Sequence, residues 1–310
     1  MSTSAPRDAA LAARRSRPLT VRLAPALRRS WPAYLLLAPF LVHFAVVVAY
    51  PFFYSIYLSF FQAGLNDEPS FVGLQNYVRM VGDPEFRQAL VNTFDYTVVV
   101  VVAETTIPLA LALMLNEPLR GRTVLRIALF LPVITSYVVV ALIWSMLFQQ
   151  QGAINGGLRA LHLSPQPFFA DGKQAMAIVM ALGIWKDLGY YMIIYLAALQ
   201  AVPHELIEAS AIDGANRWRS IWHVTIPNLR PVTYFVASIA TINAMQLFTQ
   251  SYVMTQGGPL NATLSIVQLL YRDAFVQLEF GYGSAIGTAL LLLLIGLSLL
   301  NKKLSDWMSR

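Results

Sequence analysis

The chain has 310 residues, of which 57% are hydrophobic and only 12% charged, and its mean hydropathy is +0.56. Ordinary soluble domains carry about a quarter charged residues, so these values exclude a soluble fold and define an integral membrane protein. The absence of cysteine excludes disulfides, thiolate catalysis and cysteine–zinc sites. The net charge of +6 is not a nucleic-acid signature, because the basic residues form no stripe interleaved with aromatics.

Arg7, Arg14, Arg15, Arg17, Arg22, Arg28 and Arg29 precede the first apolar run, so residues 1–31 are expected to be a basic cytoplasmic tail. That run is about 20 residues long, beyond the roughly 7–15 of a signal-peptide core, and no small-residue cleavage site follows it. It is expected to be a retained span. A bilayer core of about 30 Å takes roughly 20 apolar residues as helix. Six stretches qualify: 34–53, 96–115, 127–148, 175–199, 232–255 and 280–300. The expected fold class is all-α, a polytopic membrane protein with six transmembrane helices over residues 32–303 and a short tail at 304–310.

Lysine and arginine placement sets the orientation. With the N-terminus inside, the inner segments hold sixteen of these residues and the outer loops five, while Lys186 lies within the fourth span. Both termini are therefore expected in the cytoplasm, and so is the polar stretch "ELIEASAIDGANRWRSIWHVTIP" at 205–227.

That stretch has the pattern of two helices. Pro203 suits a first helical position, and Glu205 the positive end of the helix dipole. Gly214 is a natural stop after Asp213. Asn216 is a candidate N-cap for a second helix, whose apolar face is Trp218, Ile221, Trp222 and Thr225. Pro227 and Pro231 are expected to end it and lead into the fifth span. A loop lying on lipid headgroups is one reading. The mixed charges Glu205, Glu208, Asp213, Arg217 and Arg219 weigh against it, since such helices are usually Lys/Arg-rich on the polar face. A short helix presenting carboxylates and the small residues Ala209, Ser210 and Ala211 suits docking into a protein groove.

Glu208-Ala209-Ser210, then Gly214, then Val224-Thr225-Ile226-Pro227 resembles the EAA loop of ABC-importer permeases. The family's pattern is Glu-Ala-Ala, three residues, Gly, nine residues and Ile-x-Leu-Pro, so Ser210, Val224 and Ile226 depart conservatively. "FVGLQNYVRMVGDPEF", "ALIWSMLF", "IWKDLGYYMIIYLAALQAVP" and "VMTQGGPLNATLSIVQLLYRDAF" resemble the carbohydrate branch of that family, in particular the first of its two permease halves. The likeness covers roughly residues 32–303.

The resemblance implies a multi-pass protein of a bacterial or archaeal inner membrane. It implies a second permease subunit, two copies of a cytoplasmic ATPase that use ATP and Mg, an extracytoplasmic solute-binding protein and a sugar as solute. The 203–231 loop would couple ATPase closure to transport through Glu208, Ala209, Ser210, Asp213, Gly214 and Pro227. The chain itself is expected to bind no cofactor, to act on no nucleic acid and to be no enzyme. Its only Gly-Lys, Gly172-Lys173, lacks the remaining P-loop residues.

Polar residues inside spans are functional candidates by default. Asn243, Gln246 and Gln250 share one face of a helical fifth span. Amides both donate and accept, which suits a hydroxyl-rich solute, and Tyr190 and Tyr191 could supply rings for sugar faces. The bland alternative for the amides is helix-packing glue. Glu104, Lys186 and Asp187 are expected to be structural, with Lys186 and Asp187 satisfying one another or neighbouring helices, and Glu104 finding a hydroxyl at Thr105 or Thr106. Gly257, Gly258 and Pro259 form a tight turn, which by resemblance belongs to the external entrance. A glycerol-3-phosphate or polyol importer is the nearest alternative; a polytopic membrane enzyme or a secondary transporter is the alternative of another class.

Overall fold

The computed structural model describes residues 35–65, 68–118 and 120–308, and the side chains of these as far as Lys303. The basic tail at 1–31 lies outside them. Helix α1, Leu35–Leu58, is apolar along its length. As far as Ser55 it forms a unit of its own, and its side chains there are exposed or half-exposed.

The rest of the chain, from Ile56, is one helical body. A two-residue hairpin pairs Phe61 with Phe71 and Gln62 with Ser70, a small departure from the all-α expectation. Then come α2 (Gln75–Gly82), α3 (Pro84–Leu115), α4 (Arg122–Ile134), α5 (Tyr137–Leu147), α6 (Ala153–Ala160) and α7 (Gly172–Gln200). The chain continues through α8 (His204–Ile212), α9 (Arg217–Ser220), α10 (Ile226–Asn228), α11 (Arg230–Met245), α12 (Thr249–Thr255), α13 (Ile266–Tyr271) and α14 (Phe280–Met308). Among the described residues, four helices, α1, α3, α7 and α14, are long and apolar enough to cross a membrane, and two bent pairs bring the number to six if each pair is one span.

The two longest internal helices start on designed ends. Asp83 accepts from the Glu85 N–H at 2.8 Å with Pro84 in the first turn, and Asp171 accepts from Gln174 N–H at 2.8 Å. In each case a carboxylate satisfies an amide that the helix leaves unpaired. α3 starts well before residue 96, where hydropathy alone put the second span. α7 packs against α3, α4 and α11, burying Leu182, Tyr191, Met192 and Tyr195. Small residues permit the closest crossings: a Cβ at Gly189 would strike the Leu129 carbonyl on α4, and one at Gly183 would strike the Tyr96 hydroxyl on α3.

Both bent pairs correct the expectation of continuous spans. Where the third span was expected, the chain bends by 99° between α4 and α5. Pro132 removes one helical donor, and Thr135 and Ser136 are extended, with the Thr135 hydroxyl donating to the Pro132 carbonyl at 2.6 Å. The fifth span is broken between α11 and α12 by 41°. No proline marks that break. Ser265, itself the N-cap of α13, donates its hydroxyl to the Leu247 carbonyl that the break frees.

The 203–231 segment also differs from expectation in two places. Pro203 is the N-cap of α8 rather than its first residue. Pro227 and Pro231 do not end the second helix: a wide turn over Ile221–Thr225 lets the Ile226 N–H reach the Ile221 carbonyl, and each proline then falls in the first turn of the next helix, α10 or α11. A proline there costs no hydrogen bond. The Leu229 N–H reaches the Thr225 carbonyl and the Thr233 N–H the Leu229 carbonyl, so hydrogen bonding runs on into α11.

Candidate solute cavity and coupling surface

A cavity of about 310 Å³ opens between α3, α5, α7 and the broken fifth span. It is lined by Tyr96, Glu104, Tyr137 and Asp187, and by Asn243, Gln246 and Gln250. The three amides expected to share a face thus meet in one place, although not on one helix. Gln246 is the residue at which α11 stops, and the bend carries Gln250 back onto the same wall. Gln250 is buried and donates to the Tyr96 hydroxyl at 2.8 Å, whereas Asn243 and Gln246 are exposed to the cavity.

The tyrosines chosen from sequence are not the ones that line it. Tyr190 is 41% exposed on the outer side of α7, and Tyr191 is fully buried behind the wall. Adjacent helical residues project about 100° apart and cannot face one cavity together. Tyr191 instead supports the lining: its hydroxyl accepts from Asn243 at 3.3 Å. The tyrosines that do line it, Tyr96 and Tyr137, come from α3 and α5, and Phe248 at the break adds a third ring. A signal for the first was present in sequence, since Tyr96, Val100 and Glu104 recur at four-residue spacing on one helical face.

Glu104 and Asp187 line the cavity; Lys186 and Asp187 are met by neighbouring helices, one of the two arrangements expected, whereas Glu104 is not met as expected. The Thr105 and Thr106 hydroxyls donate to backbone carbonyls one turn back, not to Glu104. Lys186 donates to the Val133 carbonyl at 3.0 Å, and Asp187 accepts from the Tyr137 hydroxyl at 3.4 Å. Arg272, the other basic residue near the path, is held by Glu85 and by Asp273. Burial raises the Asp273 pKa above the usual carboxylate range, and Arg272 beside it opposes that shift.

At one end of the body, residues 256–264 form more than a tight turn. Gly257 has φ +88°, the Gly258–Pro259 bond is cis, and Gln256, Leu260 and Asn261 also have positive φ. Asn92 on α3 donates to the carbonyls of Asn261 and Leu264 at 2.8 and 2.9 Å, and Thr263 bonds Thr255 and the Gly258 carbonyl.

At the other end, α8 buries no residue. Glu208, Ala209 and Asp213 are exposed, Ser210 and Pro227 half-buried. Gly214 has φ +79°, which only glycine adopts without strain, and nothing crowds it. Asn216 caps α9 by accepting from the Arg219 N–H at 2.9 Å. Ser210, the departure from the family's alanine, donates to Ser220 at 2.9 Å and so ties α8 to the helix after it. Arg217 pairs with Glu117 just past α3 at 2.8 Å. The expected apolar face of the second helix divides: Thr225 is buried and Ile221 half-buried, whereas Trp218 and Trp222 are 72% and 63% exposed.

Apolar helices with a polar cavity between them make this a polytopic membrane protein with the plan of a transport subunit. Residues 105–310 match the family described as binding-protein-dependent transport system inner membrane component. The arabinooligosaccharides transport system permease protein AraP of Bacillus subtilis is 38% identical over 276 residues, covering 88% of this chain and 88% of that one. The lactose transport system permease protein LacF of Rhizobium radiobacter is 35% identical over 86% of this chain and 91% of its own length. The sn-glycerol-3-phosphate transport system permease protein UgpA of Brucella abortus is 32% identical over the same shares. A chain in the crystal structure of a bacterial ABC transporter involved in import of the acidic polysaccharide alginate superposes with a TM-score of 0.83 at 23% identity, covering 93% of this chain and 100% of that one. The chain belongs to the binding-protein-dependent transport system inner membrane component family, and it is a permease subunit of an ABC importer.

Proposed function

We propose that the chain carries a neutral sugar or oligosaccharide across a bacterial or archaeal inner membrane, as one of two permease halves. The observation that carries this reading is the cavity, where three amides and two tyrosines from four parts of the chain converge. Amides donate and accept at once, and aromatic rings can lie against the apolar face of a sugar. Arabinooligosaccharides and lactose, named for two of the relatives, have that chemistry. Glycerol-3-phosphate, named for a third, would need a fixed positive charge. Both basic residues near the path are engaged elsewhere, Lys186 by a carbonyl and Arg272 by two carboxylates.

In this reading each bent pair is one span, giving six, and both termini are cytoplasmic, as the lysine and arginine distribution favours. The turn at 256–264 faces outward, where a solute-binding protein delivers its ligand. Helix α8 faces inward and seats in a cleft of one of two partner ATPases, which bind ATP and Mg. Glu208, Ala209 and Asp213 form the exposed contact, Gly214 reverses the chain, and Ser210 and Pro227 hold the helix to the body. ATPase closure then shifts the permease between inward- and outward-facing states.

The test is affinity purification of the tagged chain from mildly solubilised native membranes. A second permease and an ATPase are expected to co-purify with the native chain, and the ATPase to be lost from Glu208→Lys. Recovery of the native chain alone, in good yield, would overturn the assembly and favour a loop that lies on lipid.

A further inference from the structure

The ionisable carboxyl groups that face the cavity, Glu104 from α3 and Asp187 from α7, are of one sign, and no Lys, Arg or His shares the lining among the described residues. The nearest cation is turned away. Lys186 and Asp187 are sequence neighbours and project about 100° apart, so Asp187 reaches the cavity while Lys186 Nζ donates to the Val133 carbonyl, 5.0 Å from the Tyr137 ring centroid. Asp187 is held on one side by a tyrosine, Tyr137, which donates to it at 3.4 Å. A carboxyl group offers more acceptor positions than one hydroxyl fills, which leaves each acid room to meet a solute.

Charge in a partly enclosed, low-dielectric space acts more strongly than on an open surface. A similar fold serves an importer described as acting on an acidic polysaccharide, so the fold alone does not dictate the charge of what passes. We propose that Glu104 and Asp187 form an electrostatic filter, through which neutral hydroxyl-rich solutes and amino sugars pass while uronates and sugar phosphates are rejected. This rests on the cavity being the solute path.

The chain has no cysteine, so a single introduced thiol can sample the cavity's field. Gln246→Cys in the full chain, in native membrane vesicles, is treated with neutral, cationic or anionic methanethiosulfonates, and the purified chain is back-labelled. Each rate is divided by the same reagent's rate with a small free thiol. A one-sign cleft enriches counter-ions by ~10–10³, so the normalised cationic-to-anionic ratio is expected at about 10 or more. Adding Glu104→Gln and Asp187→Asn should bring the ratio near unity with the neutral rate unchanged, whereas Asp187→Glu should preserve it. If the double change also removes the neutral reaction, each neutralisation made singly is expected to lower the ratio, and no change in either overturns the filter. A ratio near unity with both acids present overturns the filter and leaves the path standing, and a ratio that survives neutralisation overturns it too. Failure of the neutral reagent to react in Gln246→Cys overturns the path itself, and the filter with it.

Discussion

The two ends of the body are built on opposite plans. Around residues 247–268, the side chains of Ser251, Thr263 and Ser265 are fully buried and bonded into the turn. Ser251 reaches both the Thr263 carbonyl and Gln268, and Asn92 ties two more carbonyls back to α3. At the other end α8 has no buried residue and is tied by one hydroxyl pair to α9, which is itself tied by one exposed ion pair. α7 runs 29 residues between them, about 43 Å at 1.5 Å per residue. A buried polar network specifies one geometry because each unmet bond is costly. A sparsely tied surface helix is determined by what it meets. The first end is finished within this chain, and the second leaves α8 uncovered, as the proposed docking requires.

The sharpest way to break that contrast is at Gly214. Gly214→Asp or Glu208→Lys is expected to leave the protein in the membrane and reduce ATP-driven uptake to background, measured with labelled solute in vesicles. Normal uptake by both would remove the coupling role. Next in size, Asn92→Ala leaves the buried Leu264 carbonyl without this donor and removes one of two donors from the Asn261 carbonyl; an unmet buried acceptor costs about 1–3 kcal/mol. Its thermal unfolding in detergent is expected well below that of the native chain, and an unchanged midpoint would deny that the turn is locked by that amide. Between the ends, Gln246→Ala and Asn243→Ala are expected to lower uptake about tenfold, the effect of roughly 1.4 kcal/mol, while the ATPase still co-purifies. Silence in both would make those amides packing contacts. The smallest effect is expected from Arg217→Ala, because its pair with Glu117 is exposed on both sides. Exposed pairs contribute about 0–1 kcal/mol, so unfolding should shift little, and a large shift would mean that the second end is as fixed as the first.

What could be foreseen from sequence divides along the same line. The 203–231 segment is governed by local chemistry: glycine at a positive φ, asparagine at a cap and short helical pieces between. Its helices were therefore legible from residue types. The wide turn before Pro227 was not, because one missing donor can be accommodated either by ending a helix or by widening it. The break after Met245 had no local sign at all, since the carbonyl it frees is met by Ser265, 18 residues on. Pro132 did mark the third span, but a proline fixes only a lost bond, and the 99° angle belongs to the two extended residues after it. The amides of the cavity were found because they share a wall even across the bend. The tyrosines were not legible from adjacency, because neighbouring residues on a helix project about 100° apart and only helical phase decides which one meets the cavity.

The hydrogen bonding that runs from α9 into α11 has a mechanical consequence. From Arg217 to Met245 the chain is helical but for Leu229, which is 1% exposed and buried with Val236 and Ala240. The segment that begins at Arg217 and the Asn243 side of the cavity wall thus belong to one nearly unbroken helical run through buried Leu229. With about 12 residues on one side of Leu229 and about 16 on the other, its arms are roughly 18 and 24 Å long at helical rise. If the run tilts about Leu229 as a unit, an ångström of travel at Arg217 corresponds to slightly more than an ångström, in the opposite sense, at Asn243 on the cavity wall.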